Sequence, residues 1–148
     1  MRDHLDDIER ELMLVGRHHA MAGGRGGGEL ERSAYLLLSR IETQGPMSIG
    51  QLAEAFQLDT STVNRQAAAM LRADVVKRIP DPDGGMARKF AITPAGAEAL
   101  AADRRRHQEG LGRVLADWTD AEVAVLAESL TRLNRSIEAL QGVVWPRG

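Results

Sequence analysis

Cysteine is absent from the 148 residues. That excludes a disulfide scaffold, a Cys-ligated zinc finger, an iron–sulfur cluster and any thiol-based redox switch. Aromatic residues make up only 3% of the chain, too few for a platform on which single-stranded nucleic acid would stack. No apolar run approaches the ~20 residues that a membrane span needs, and the acidic beginning does not read as a signal peptide. The expected compartment is therefore the cytoplasm, with no membrane partner. An excess of one charge is lacking too, since 19 basic residues face 21 acidic ones for a net of −2. The balance excludes a histone-like polycation while leaving room for a local basic patch.

What is present is an ordinary globular composition, 43% hydrophobic and 27% charged, of a length that suits one compact domain or a small domain with helical extensions. Charge is uneven along it. Residues 1–43 and 94–148 are net acidic, whereas 44–93 are net basic and hold Arg65, Arg72, Lys77 and Arg78 close together. Such a stripe gains meaning only where it coincides with an element that reads DNA.

Hydrophobic spacing predicts helices at both ends. Leu5, Ile8, Leu12 and Val15 mark one face of a helix over Asp3–Met21. The glycines between 23 and 28 follow as a flexible connector; no strand precedes them and no Gly-Lys-Ser/Thr follows, so they do not form a phosphate loop. Glu29–Thr43 reads as a second helix with Leu30, Ala34, Leu37, Leu38 and Ile41 inward, stopped by Gly45-Pro46. Near the other end, Thr119-Asp120-Ala121-Glu122 is a capping box. Val123, Leu126, Leu130, Leu133, Ile137, Leu140 and Val144 follow it at heptad spacing. Such a stripe needs a partner helix, supplied by an intramolecular bundle or by a second copy. The second copy is expected, because three long helices around a small centre leave much apolar surface.

The centre is denser in signals. Ser48-Ile49-Gly50-Gln51 is another capping box, opening a short helix that buries Leu52, Ala53 and Phe56. After the turn at Leu58-Asp59, a helix over Ser61–Arg72 buries Val63, Ala67, Met70 and Leu71 and shows polar side chains at its start. Two short helices of this kind make a helix-turn-helix. Val75–Ile79 and Arg88–Ile92 read as strands around the turn-rich Asp81-Pro82-Asp83-Gly84-Gly85. A helix-turn-helix with a hairpin behind it is a winged helix. Thr93-Pro94 then caps and starts a long helix to Trp118. The expected fold is mainly α with a small β-hairpin wing (α+β). Its parts are N-terminal dimerisation and support helices (1–43), a winged helix-turn-helix (44–93) and C-terminal dimerisation helices (94–148).

These elements and motifs, from Asp3 to about Leu140, resemble the multiple-antibiotic-resistance regulator (MarR) family of bacterial winged-helix transcription factors. The resemblance is carried by Ile49-Gly50-Gln51-Leu52-Ala53-Glu54, by Asp59-Thr60-Ser61-Thr62-Val63-Asn64-Arg65 and by Val75-Val76-Lys77-Arg78. Asp81-Pro82-Asp83 and Ala91-Ile92-Thr93-Pro94-Ala95-Gly96 complete it. Two positions depart from the family pattern. Gly84-Gly85-Met86-Ala87 stand where the family carries wing-tip arginines, with Arg88 and Lys89 just beyond, and Asp74 stands where the family has glycine after the recognition helix. Aspartate tolerates a left-handed backbone better than most residues.

The resemblance implies a homodimeric regulator, a repressor, bound to double-stranded DNA at an inverted-repeat operator. The 61–72 helix then enters the major groove, with Arg65 the candidate for guanine and Asn64 or Gln66 for adenine. Ser48, Thr60, Ser61 and Thr62 are candidates for phosphates near helix N-termini, and Arg88 and Lys89 for steadying the wing on the backbone. The family also implies a small lipophilic or phenolic effector between the dimerisation helices and the winged region, where Met13, Arg17, His18, Tyr35 and Met70 are the candidate lining. The alternative is a winged-helix protein-interaction module that pairs with another regulator; the glycine wing tip and acidic balance favour it, and the recognition-helix residues oppose it.

No cofactor or metal is expected. His18-His19 are adjacent, so on a helix they diverge by about 100° and cannot chelate together. Arg104-Arg105-Arg106 reads as a second phosphate patch or as the wet face of its helix. No nucleophile triad, dinucleotide loop or catalytic carboxylate pair is present, so no enzymatic activity is expected.

Overall fold

The structure, a computed structural model, describes the backbone of residues 1–23 and 30–147 and the side chains of 1–18 and 30–147. Within them the order is α1 (Arg2–Gly23), α2 (Arg32–Gln44), α3 (Ile49–Phe56) and α4 (Thr60–Arg72), then β1 (Val76–Ile79), β2 (Lys89–Ile92), α5 (Pro94–Val114) and α6 (Asp120–Gln141). The mainly helical winged fold expected from the sequence is the fold observed. Residues 24–28, expected within the glycine connector, and the side chain of His19 lie outside what is described.

Local chemistry explains where α3, α5 and α6 begin. The Ser48 hydroxyl accepts the Gln51 N–H while the Gln51 side chain accepts the Ser48 N–H, closing the capping box of α3. The same reciprocal pair joins Thr119 and Glu122 at α6. Thr93 does more. Its hydroxyl accepts the Gly96 N–H and donates to the Asp74 carbonyl, so the cap of α5 is also bonded to the segment that leaves α4. Gly96 is required there because a Cβ would lie 2.1 Å from the Val75 carbonyl oxygen.

Several boundaries differ from the expected ones. α2 starts at Arg32 rather than Glu29, since Glu31 is extended (ψ 154°) at its N-cap; ahead of it the Leu30 N–H is bound by the buried Asp103 carboxylate of α5. α5 stops at Val114, before Trp118, as the chain turns through Leu115. α6 ends at Gln141 on a left-handed Gly142 (φ 71°), so Val144 falls outside the heptad stripe. Leu71 and Phe56 are half-buried rather than core.

β1 and β2 pair antiparallel with Val76 opposite Ile92 and Arg78 opposite Phe90. On the other edge of β2, Met47 exchanges two backbone bonds with Phe90, of 3.1 and 2.7 Å, tying the loop before α3 to the wing. The core gathers Leu37, Leu38 and Ile41 from α2 with Leu52, Val63, Ala67, Met70, Val76, Phe90 and Leu100. It is therefore the core of the winged region, closed by the first turns of α5. α6 contributes no buried residue, and Leu5, Ile8, Leu12 and Val15 of α1 are each about half exposed.

Candidate nucleic-acid interface

α3 packs on α4, and the link between them is tight because Gln57 adopts a left-handed conformation (φ 52°) directly after Phe56. α4 buries Val63, Ala67 and Met70. Helical periodicity then turns Thr60, Ser61, Asn64 and Arg65 outward, and all four are exposed. One Arg65 Nη donates to the Thr62 hydroxyl at 3.3 Å. That bond orients the guanidinium along the helix and leaves the Thr62 O–H proton available to another acceptor.

Two predicted contacts are placed differently from the rest. Gln66 is half-buried and its amide oxygen is turned inward without a partner, so Asn64 is the amide fully presented. Lys89 is drawn into the wing, its ammonium 3.4 Å from the Asp81 carboxylate and both side chains mostly covered. Arg88 remains exposed.

The wing tip, where glycines stand, is a tight turn. The Asp81 carbonyl accepts the Gly84 N–H across a β-turn with Pro82 second. Its carboxylate accepts the Asp83 N–H at 2.9 Å. The Asp83 N–H, aided by Lys89 and the Gly85 N–H, holds the Asp81 carboxyl below the usual aspartate range. Gly84 has φ 82°, and a Cβ on Gly85 would strike the Asp81 carboxylate at 2.2 Å. Gly84, with its left-handed φ, and Gly85, close to the Asp81 carboxylate, thus form a compact turn folded around Asp81.

A depression between the reading helix and the wing is lined by Ser48, Ile49, Gly50, Asn64, Arg78, Ala87, Arg88 and Phe90. Three predicted contacts, Ser48, Asn64 and Arg88, therefore share one surface with Arg78, which the sequence placed in the central basic stripe but not among the DNA contacts. Arg78 is exposed, and its guanidinium lies 5.8 Å from the centre of the Phe90 ring, a cation–π placement that pre-orients it. The available signal was the pairing of two basic dipeptides, Lys77-Arg78 and Arg88-Lys89, across one hairpin.

The five effector candidates are dispersed. Met70 is sealed in the core at 2% exposure and lines no open crevice. Tyr35 packs edge-on against His107 of α5 with ring centres 4.8 Å apart. Met13, Arg17 and His18 stand exposed along α1. Among the described residues no three His, Asp or Glu side chains are grouped so as to hold a metal, and no helix is long and apolar enough to cross a membrane.

Comparison with known proteins gives a consistent result. The family model described as "MarR family" matches residues 30–84. The HTH-type transcriptional regulator YxaD of Bacillus subtilis is 39% identical over 109 residues, 74% of this chain and 76% of the relative. A second B. subtilis HTH-type transcriptional regulator, YsmB, is 25% identical over 92% of this chain and 94% of its own length. Among solved structures, a MarR family protein from Bacillus stearothermophilus superposes with a TM-score of 0.81 at 18% identity, over 93% of this chain and 97% of that one. A probable transcriptional regulator from Pseudomonas aeruginosa gives 0.68 at 26% identity, over 87% and 98%.

Proposed function

This chain belongs to the MarR family of DNA-binding transcriptional regulators, and we propose that it works as a cytoplasmic homodimeric repressor of an inverted-repeat operator, released by a small lipophilic or phenolic effector. The observation that carries the operator reading is the surface shared by Ser48, Asn64, Arg78 and Arg88, with Arg65 beside it on the same exposed helix face. Arg65 reads guanine through two parallel N–H donors and Asn64 reads adenine. Ser48, Thr60, Ser61 and Thr62 bond phosphates and set the register. Arg78 and Arg88 hold the phosphate backbone from the base of the wing, in place of a tip arginine, while Lys89 keeps the wing turn closed through Asp81.

The dimer reading is supported by the apolar stripes of α1 and α6, which stay only partly covered within one chain. A two-fold pair of α4 helices about one DNA turn apart requires a palindromic site. An effector releases DNA only by binding a spacing of the two reading helices that the operator does not fit. The exposed α1 and the Tyr35–His107 contact flank the region where such a ligand would act. A second reading, a protein-interaction module, is favoured by one observation, the wing tip without a cation at Gly84-Gly85.

Selection from a pool of randomised duplexes, followed by fluorescence anisotropy, separates the two. The operator reading expects an inverted repeat to be enriched, its affinity falling with salt. Arg65→Ala then weakens binding by about 1–3 kcal/mol per half-site. No enrichment at low or physiological salt would overturn it in favour of the interaction module.

A further inference from the structure

The segment after α6 folds back instead of trailing away. Gly142 reverses the chain, and the Trp145 ring meets Phe56 edge-on with centres 5.7 Å apart. On its other side the Arg40 guanidinium lies 5.2 Å from the Trp145 centroid. Arg40 is only 8% exposed, its Nε bonded to Gln44 at 2.8 Å. Two residues on, Arg147 grips both carboxylate oxygens of Glu138 on α6 and also donates to the Trp145 carbonyl at 3.2 Å. Trp145 thus sits between α2 and the last residue of α3, while Arg147 fixes the same segment to α6.

The position of this contact gives it consequence. Phe56 immediately precedes the Gln57 turn that orients α4, and α6 has no buried residue of its own to set its angle against the winged region. We propose that Trp145 and Arg147 are positioning residues: through Phe56 and Arg40 on one side and Glu138 on the other, they clamp α6 to the reading head. In the homodimer proposed above, on which this last step rests, the clamp sets the separation of the two α4 helices. A tilt of about 10° on a lever of about 20 Å, the length of a 13-residue helix, moves its far end by about 3.5 Å. That equals roughly the rise of one base pair.

The absence of cysteine permits a direct test. Spin labels on Glu54→Cys (α3) and Glu128→Cys (α6), both exposed, report the head-to-helix distance. Diluting labelled chains tenfold with unlabelled ones keeps each distance within one chain, whether or not the protein dimerises. The unclamped variants are Trp145→Ala and Arg147→Glu; the latter replaces a surface side chain and spares the core. Both are expected to broaden the distance distribution at least twofold, and the charge-exchanged pair Glu138→Arg with Arg147→Glu is expected to narrow it again. Distributions as narrow as the parent's in both single variants would overturn the clamp, and failure of the exchanged pair to narrow it would overturn the role given to Arg147.

Operators with the half-site spacing changed by one base pair supply the second readout. The parent is expected to discriminate against them at least tenfold and Trp145→Ala less than threefold, with half-site affinity unchanged. Discrimination retained in Trp145→Ala overturns the spacing role. A parent that selects no repeat at all overturns the operator reading instead, while the distances still decide the clamp.

Discussion

α5 and α6 are 21 and 22 residues long, and both begin at a threonine whose hydroxyl accepts an N–H three residues on. Yet α5 buries Gly96, Ala99, Leu100 and Asp103, and α6 buries nothing. The more regular apolar stripe of the two belongs to the helix that buries no residue fully. The division even runs through α5 itself, whose first turns close the winged core while Leu111 and Val114 are 59% and 75% exposed. The chain is thus half self-sufficient. One part satisfies its apolar residues among neighbours in the same chain, and the other leaves its apolar stripe partly exposed, the seam that the proposed dimer would cover.

The strongest way to break this comparison is to charge the seam. Leu133→Arg with Ile137→Arg, at positions 36% and 41% exposed, is expected to abolish dimerisation. About two fifths of each side chain is left for a partner to cover, about 0.5–1 kcal/mol apiece, and a two-fold dimer would lose four of these contacts and bury four unpaired charges instead. Light scattering should fall from two chains to one, while heat-induced melting of the winged core persists. Loss of folding along with the dimer would show that the two halves are not separable. Next in size is a matched pair within α5. Gly96→Ala drives a Cβ into the Val75 carbonyl and should cost about 3 kcal/mol or more. Gly112→Ala, with nothing within 4 Å of its added carbon, should gain about 0.5–1 kcal/mol from helix propensity. Equal changes in the two melting curves would contradict the boundary drawn through α5.

How much of this was legible in the sequence depends on how far apart the interacting residues lie. Ser48 with Gln51, and Thr119 with Glu122, act within one turn, so both caps could be read directly. The reading helix was legible for the same reason, since its buried and exposed faces follow from spacing alone. Contacts between distant segments were not. Asp103 binds the Leu30 N–H ahead of α2, Met47 pairs with Phe90, and Trp145 reaches Phe56 and Arg40. At the interface, Arg65 and Asn64 are presented as their positions on the helix suggest. Lys89 and Gln66 are turned aside by partners or packing that no local pattern encodes, and Arg78 became visible only once the hairpin brought it beside Arg88. Seam and core have the same hydrophobic periodicity, so the sequence could not say which stripe is covered within the chain.

A smaller effect sharpens the comparison on its self-sufficient side. Asp74 holds φ 59°, the left-handed region, at the exit from α4. Its carbonyl accepts the Thr93 hydroxyl at 2.6 Å, a backbone interaction that any residue there retains. Asp74→Gly should therefore stabilise the winged core by a few tenths to about 1 kcal/mol, relieving the side-chain cost of that conformation. Denaturant titration would register this as a higher midpoint with an unchanged slope. A lower midpoint would mean that the aspartate side chain itself supports the turn.

The smallest expected effect is confined to the wing and separates it from the core beneath. The Asp83 N–H, followed by Lys89, holds the Asp81 carboxyl below its ordinary value. A depressed carboxyl contributes order that is complete above its unfolded value, about 3.9, and lost as pH falls through the lower folded value. Acid titration followed by amide resonances should then move the Asp83 and Gly85 signals with a midpoint below that of a free aspartate. Leu38 and Leu52 amides, deep in the core, should stay unmoved through the same step. Asp81→Asn keeps an acceptor oxygen for Asp83 but removes the titrating group and the pull on Lys89, so it should abolish the midpoint and free the Lys89 ammonium. A midpoint at or above the ordinary value would mean that the glycine turn does not close around the carboxylate. The wing turn would then rest on the backbone bond from the Gly84 N–H to the Asp81 carbonyl alone, without the side-chain anchor that sets it apart from an ordinary turn.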